Sequence, residues 1–213
     1  MLSRDGSPEK MACGDPRALA KTVILDPELT ASMPLRVARL TALDALSHAL
    51  ESAVCTKSTP ESRELSFAAF RKIEPVIESI LKGEATTAQR GDMLRGAALA
   101  GQAVESSMLG AAHATANPLT AHFDVVHGRA VLTMLPTIMR WNSTVVGEIY
   151  QELRPDLIEW VESLRTIAEL EPVQVPAEMI PQLAAEAIKQ WTGQFNPRSF
   201  DEADFVSLYR DAL

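Results

Sequence analysis

From Pro34 to the C-terminus, apolar residues recur at intervals of three and four and hardly ever alternate with polar ones, a pattern that restricts the chain to an all-α fold. Val37, Leu40, Leu43, Leu46 and Leu50 set the spacing over residues 35–54, and Lys57-Ser58-Thr59-Pro60 breaks it. Phe67, Phe70, Ile73, Val76 and Ile80 form a second stripe over 61–81, which ends at Gly83, a residue suited to a helix C-terminus. The third stretch, 87–109, is crowded with small residues. Its mid-helix Gly96 and Gly101 each cost about 1 kcal/mol against alanine, so their use there predicts a closely packed neighbouring helix. Further helices are read over 111–123, from His127 through VLTMLPTIMRW with a kink at Pro136, and over 156–167, 177–191 and 201–213. Ser199, with Glu202 three residues on, is the expected cap of the last. Only Thr22-Val23-Ile24-Leu25 favours a strand, and Asp26-Pro27 stops it. The chain therefore reads as seven to nine helices over 34–213, preceded by a short extended N-terminal arm over 1–33.

With 213 residues, 46% of them hydrophobic and 23% charged, the chain is long enough to bury about 70% of its unfolded surface. The net charge of −8 lies entirely in residues 146–213, which hold 13 acidic and 5 basic side chains. An acidic end of this kind argues against nucleic acid and anionic membranes as partners, and a solvated helical face accounts for it. Two cysteines, Cys13 and Cys55, make no disulfide framework and point to a reducing compartment. MLSRDGSPEK has no apolar core of a leader, and no run of 18 apolar residues occurs, so a cytoplasmic protein is expected.

Three of the four histidines fall in one pattern. Asp44 and His48, in DALSHALES, lie on one face of a helix because 3.6 residues per turn brings i and i+4 together. Such pairs also arise by chance, and most helical histidines are hydrogen-bonded core residues. Here both sit in an apolar stripe beside Leu43, Leu46 and Leu50, where a carboxylate is costly unless paired or bound to a metal. His113 and His127, in HATANPLTAHFDVVHG, offer two more imidazoles from another part of the fold. One carboxylate and three imidazoles suit a divalent transition metal such as iron or zinc. Spacing alone leaves His122 open, as a further ligand or as a solvent-exposed residue.

The ordered set DPELTASMP, DALSHALES, GAAHATANPLTAHFDVVHGRAVLTMLP and RWN, with Asn196-Pro197 near the end, is similar to the iron-dependent (group III) alcohol dehydrogenases. In that family a DALxHAxE segment gives an Asp and a His to the metal, and a GxxHxxxHPLGxxxxxxHG segment gives two more histidines. Carried over position by position, the resemblance implies Asp44, His48, His113 and His127 as ligands of Fe²⁺ or Zn²⁺, and it gives His122 no role. It further implies the helical C-terminal domain shared with dehydroquinate synthase-like proteins, and oxidoreduction of a small alcohol or aldehyde with NAD or NADP.

Two departures qualify this. Many family members have another His four residues after the third ligand, near substrate and nicotinamide, where this chain has Asn117. That residue can orient a substrate hydroxyl but cannot titrate near neutral pH as His does. Nor do any two of the ten glycines adjoin, so the family's GGGS-type pyrophosphate-binding turn is not in this sequence. The chain is expected to be the metal-binding half, with 1–33 as an arm and remnant of the domain junction. A homo-oligomer or association with a nucleotide-binding domain is expected to complete it. The competing expectations are a redox-inactive metal-binding or interaction domain, and a relative of the glycerol dehydrogenase or dehydroquinate synthase kind.

Overall fold

The computed structural model describes residues 2–3, 10–11, 17 and 20–213. Eight α-helices follow one another: α1 (Leu35–Val54), α2 (Pro60–Lys82), α3 (Thr87–Ser106), α4 (Ala111–Phe123), α5 (His127–Leu153), α6 (Leu157–Ile167), α7 (Ile180–Ala187) and α8 (Glu202–Ala212). Single 3-10 turns lie at Pro27–Thr30, Ala177–Met179 and Gly193–Phe195. The described strands are two residues each, Leu2–Ser3 against Lys10–Met11, antiparallel. The fold is the expected all-α bundle.

Helices α1, α2 and α3 pack on one another, α5 packs on α1, and α4 lies against α5, with α7 and α8 closing the far side. Leu43, Leu46 and Leu50 of α1 are at most 1% exposed, so the stripe read from the sequence is the centre of the core. Burying each such side chain contributes about 1.5–3 kcal/mol. Local chemistry sets the starts. Thr59 and Ser62 make reciprocal cap bonds at α2, and Thr86 and Gln89 do so at α3. Gly83 ends α2, as its position suggested.

The expectation of close packing at the glycines of α3 holds at one of the two. A Cβ on Gly96 would lie 2.5 Å from Ile73 Cγ1 of α2, whereas one on Gly101 would meet nothing within 4 Å.

Four other expectations are corrected. Residues 22–25 form no strand, with Val23 67% and Ile24 84% exposed, because β-favouring residues need a partner strand and the described residues provide none. Asp26 does end that run, accepting from the Glu28 N–H and so opening the 3-10 turn. Helical geometry continues through the buried Pro136 and breaks instead at Val146 (φ −124°, ψ 19°), at the end of the β-branched run Thr144-Val145-Val146 and just before Gly147, all poor helix formers. The cap of α8 is Asp201 with Asp204, not Ser199 with Glu202: each carboxylate accepts the other's backbone N–H at 2.9 Å. Residues 188–191 lie beyond α7 and leave Trp191 43% exposed. Cys55 is a buried thiol, while Cys13 and most of the expected arm up to residue 19 lie outside the described residues.

Candidate metal centre

Asp44, His48 and Glu51 stand at i, i+4 and i+7 on α1 and share one face of it. His113 lies in the first turn of α4 and His127 is the first residue of α5. Between those helices the chain reverses at Asp124, in the left-handed region at φ 50°. The start of α5 presses directly onto α1: a Cβ on Gly128 would lie 2.2 Å from the Leu40 carbonyl oxygen, so only glycine permits this approach. That contact carries His127 to Asp44.

The three imidazoles surround one carboxylate oxygen. Oδ1 of Asp44 is 3.9 Å from His48 Nε2, 3.7 Å from His113 Nε2 and 3.8 Å from His127 Nε2. The His48 and His113 rings stack with centroids 5.0 Å apart, and His113 and His127 stand 5.3 Å apart, tilted by 57°. Donor atoms of Asp44, His48 and His113 all lie within 4.8 Å of one another, and His127 joins them through its approach to the same oxygen.

Two of these atoms, Asp44 Oδ1 and His113 Nε2, are buried with no hydrogen-bond partner. Polar atoms in that state cost about 1–3 kcal/mol each, and a shared cation removes the cost. Four donors bound to one ion at about 2.0–2.2 Å stand roughly 3.4 Å apart in a tetrahedron, and the three separations from Asp44 Oδ1, 3.7–3.9 Å, lie a few tenths of an ångström above that, while the donors of Asp44, His48 and His113 as a set lie within 4.8 Å. The donor types, the grouping of Asp44, His48 and His113 and the orphaned atoms fit Fe²⁺ or Zn²⁺.

Charge coupling within the group is strong. Burial raises the Asp44 carboxyl, but the close approach of His113, with the charges of His48 and His127, outweighs it and holds the group at about 2. Burial, together with the neighbouring His113, depresses His48 to about 4 against the pull of Asp44 and Glu51. For His113, burial opposes the charge, yet Glu51 and then Asp44 raise it to about 9.

Glu51 is a buried acid against the group that the sequence alone did not single out. It is 5% exposed, its Oε2 lies 2.5 Å from His113 Nδ1, and its Oε1 accepts the Ala112 N–H at 2.8 Å. The available signal was its place three residues after His48, on the same helix face. Asn117 stands one turn beyond His113 and outside the four-residue group. Its Nδ2 donates to Gln190 Oε1 at 3.0 Å, and its Oδ1 is buried without a partner. His122 is remote from the group and pairs with Glu186 at 2.7 Å.

The chain belongs to the Fe-containing alcohol dehydrogenase family, whose C-terminal region matches residues 38–159, a span that includes Asp44, His48, Glu51, His113 and His127. It is 32% identical over 216 residues to long-chain-alcohol dehydrogenase 1 of Geobacillus thermodenitrificans, a match covering 92% of this chain and 55% of that protein. Lactaldehyde reductase of Escherichia coli K12 is 28% identical over 223 residues, covering 95% and 58%. Among solved structures, an iron-containing alcohol dehydrogenase from Thermotoga maritima superposes with a TM-score of 0.80 at 27% identity, over 88% of this chain and 52% of that one. The chain thus spans a little over half the length of the relatives it matches. No helix among the described residues is long and apolar enough to cross a membrane.

Proposed function

We propose that the chain forms the metal and substrate-oxygen end of an alcohol dehydrogenase that oxidises a small alcohol, or reduces the matching aldehyde, with NAD or NADP as hydride carrier. The observation that carries this reading is the convergence of three imidazole Nε2 atoms on the orphaned Oδ1 of Asp44, within 3.7–3.9 Å. Fe²⁺ or Zn²⁺, held by Asp44, His48, His113 and His127, would supply Lewis-acid polarisation of the alcohol or aldehyde oxygen. His48, depressed to about 4, is neutral at pH 7 and ready to act as a donor. Asp44, held at about 2, remains a carboxylate under any physiological condition. Asn117, anchored by Gln190 through Nδ2, keeps Oδ1 without a hydrogen-bond partner, and in this reading that oxygen would orient a substrate hydroxyl. Because an amide does not titrate, the substrate proton leaves by another group.

Hydride transfer needs a nicotinamide site that these 213 residues do not encode as a glycine-rich turn. A nucleotide-binding domain, or a partner that supplies one, completes the reaction in this reading, and a homo-oligomer is one arrangement that brings it. The second reading is a metal-binding domain without redox activity.

Visible spectroscopy of the chain loaded with Co²⁺ separates the two. A saturable change in the Co²⁺ bands on adding small primary alcohols, abolished in Asp44→Ala, is the expected result. Bands that stay indifferent to every small alcohol and aldehyde would favour the redox-inactive reading.

A further inference from the structure

We infer that Glu51 is the positioning residue that selects the ligating tautomer of His113, an inference that rests on the metal reading proposed above. Its carboxylate makes two contacts at once, at 2.5 Å to His113 Nδ1 and at 2.8 Å to the Ala112 N–H. Helix α4 makes this necessary. Its cap residue, Gly110, has no side chain to satisfy the first amides, so groups distant in sequence do it: Asn196 Oδ1 accepts the Ala111 N–H at 3.2 Å and Glu51 accepts that of Ala112. The space is fitted to both, since a Cβ on Gly110 would lie 2.9 Å from Glu51 Oε1 and 3.0 Å from Asn196 Oδ1. Asn196 is fixed in turn by two amide contacts with Asn142, at 2.7 and 3.0 Å, and by the Arg198 carbonyl at 2.7 Å.

The consequence falls on His113. Its buried ring lies between Glu51 at Nδ1, 2.5 Å away, and Asp44 at Nε2, 3.7 Å away. A carboxylate only accepts hydrogen bonds, so the neutral ring must carry its hydrogen on Nδ1 and present the lone pair of Nε2 to the site. Glutamine at this position cannot do the same. With its oxygen on the Ala112 N–H, its NH₂ faces Nδ1 and favours hydrogen on Nε2, which blocks ligation. With its oxygen on Nδ1, the Ala112 N–H faces a donor.

The test is a competitive Zn²⁺ titration of the full chain and of Glu51→Gln, both checked for helix content by circular dichroism. Long-range ¹H–¹⁵N spectra of the Zn²⁺-loaded parent are recorded beside it. The expected results are a Zn²⁺ affinity lowered by about 10- to 100-fold in Glu51→Gln, and ¹⁵N shifts that assign Nε2 of His113 as the bound nitrogen with hydrogen on Nδ1. Equal affinities in two folded proteins would overturn the role of Glu51 and leave the metal reading intact. Zinc on Nδ1 of His113 would also overturn it, even if Glu51→Gln does not fold. A parent that binds no Zn²⁺ would overturn both.

Discussion

His113 meets two opposite demands. As a donor to a metal it must be neutral, yet beside Glu51 and Asp44 its pKa in the chain without metal is raised to about 9. An unfolded histidine titrates at about 6.5, so the charged ring stabilises the fold fully below that pH, and the contribution is lost as pH climbs through 9. Metal competes with the same proton. The melting temperature of the metal-free chain is therefore predicted to fall between about pH 6.5 and 9.5, while Zn²⁺ affinity rises across the same window. His113→Ala should remove most of the stability trend, and an unchanged trend in that variant would contradict the assignment. At this scale the sequence was informative where residue type is rare. Four histidines in 213 residues, with Asp44 one helical turn from His48, narrow the candidate donors to a few, and only the family resemblance sets His122 aside. Glu51 stayed hidden because a glutamate three residues after a histidine ordinarily reads as solvated surface. Its burial depends on Gly110 and Asn196, which lie far off in the sequence.

The helices place the donors, and two glycines separate placement from stability. Gly128 allows α5 to meet the Leu40 carbonyl of α1, and Gly96 allows α3 to meet Ile73 of α2, with added Cβ atoms at 2.2 and 2.5 Å respectively. Overpacking of this kind costs about 1–3 kcal/mol, which corresponds to a drop of roughly 3–10 °C in Tm for a chain of this size. Both Gly128→Ala and Gly96→Ala should lose stability on that scale. Only Gly128→Ala should also lose Zn²⁺ affinity, by tenfold or more, since it alone displaces the His127 end of α5 from Asp44. Equal Zn²⁺ affinity in the two variants, measured below their melting temperatures, would show that the α1–α5 approach does not set the site. Helix positions were legible because local spacing and capping fix them. The failures were tertiary or competitive. Residues 22–25 lack a partner strand among the described residues, Pro136 is held straight by burial in the core, and Asp201 prevails over Ser199 as a cap because Asp204 reciprocates its bond.

Across the molecule, one continuous core from α1 to α8 supports the donors, and three separate helices deliver them to one point. A site assembled this way is set by the fold as a whole rather than by a flexible loop. Outside it, Val23, Ile24 and Leu29 are 67, 84 and 78% exposed, and a groove of about 270 Å³ between α1 and α3 is lined by Met33, Ala42, Met93 and Leu94. The all-α class was readable from periodicity throughout, whereas nothing in a local window shows that residues 44, 113 and 127 meet. The central claim is that these helices build a metal site by themselves. An anaerobic titration of the chain with Fe²⁺ and with Zn²⁺, beside Asp44→Ala and His113→Ala, tests it most directly. The account predicts one equivalent bound by the parent and at least a hundredfold weaker binding in each variant. No stoichiometric binding by the parent, or full binding by a folded Asp44→Ala, would contradict it.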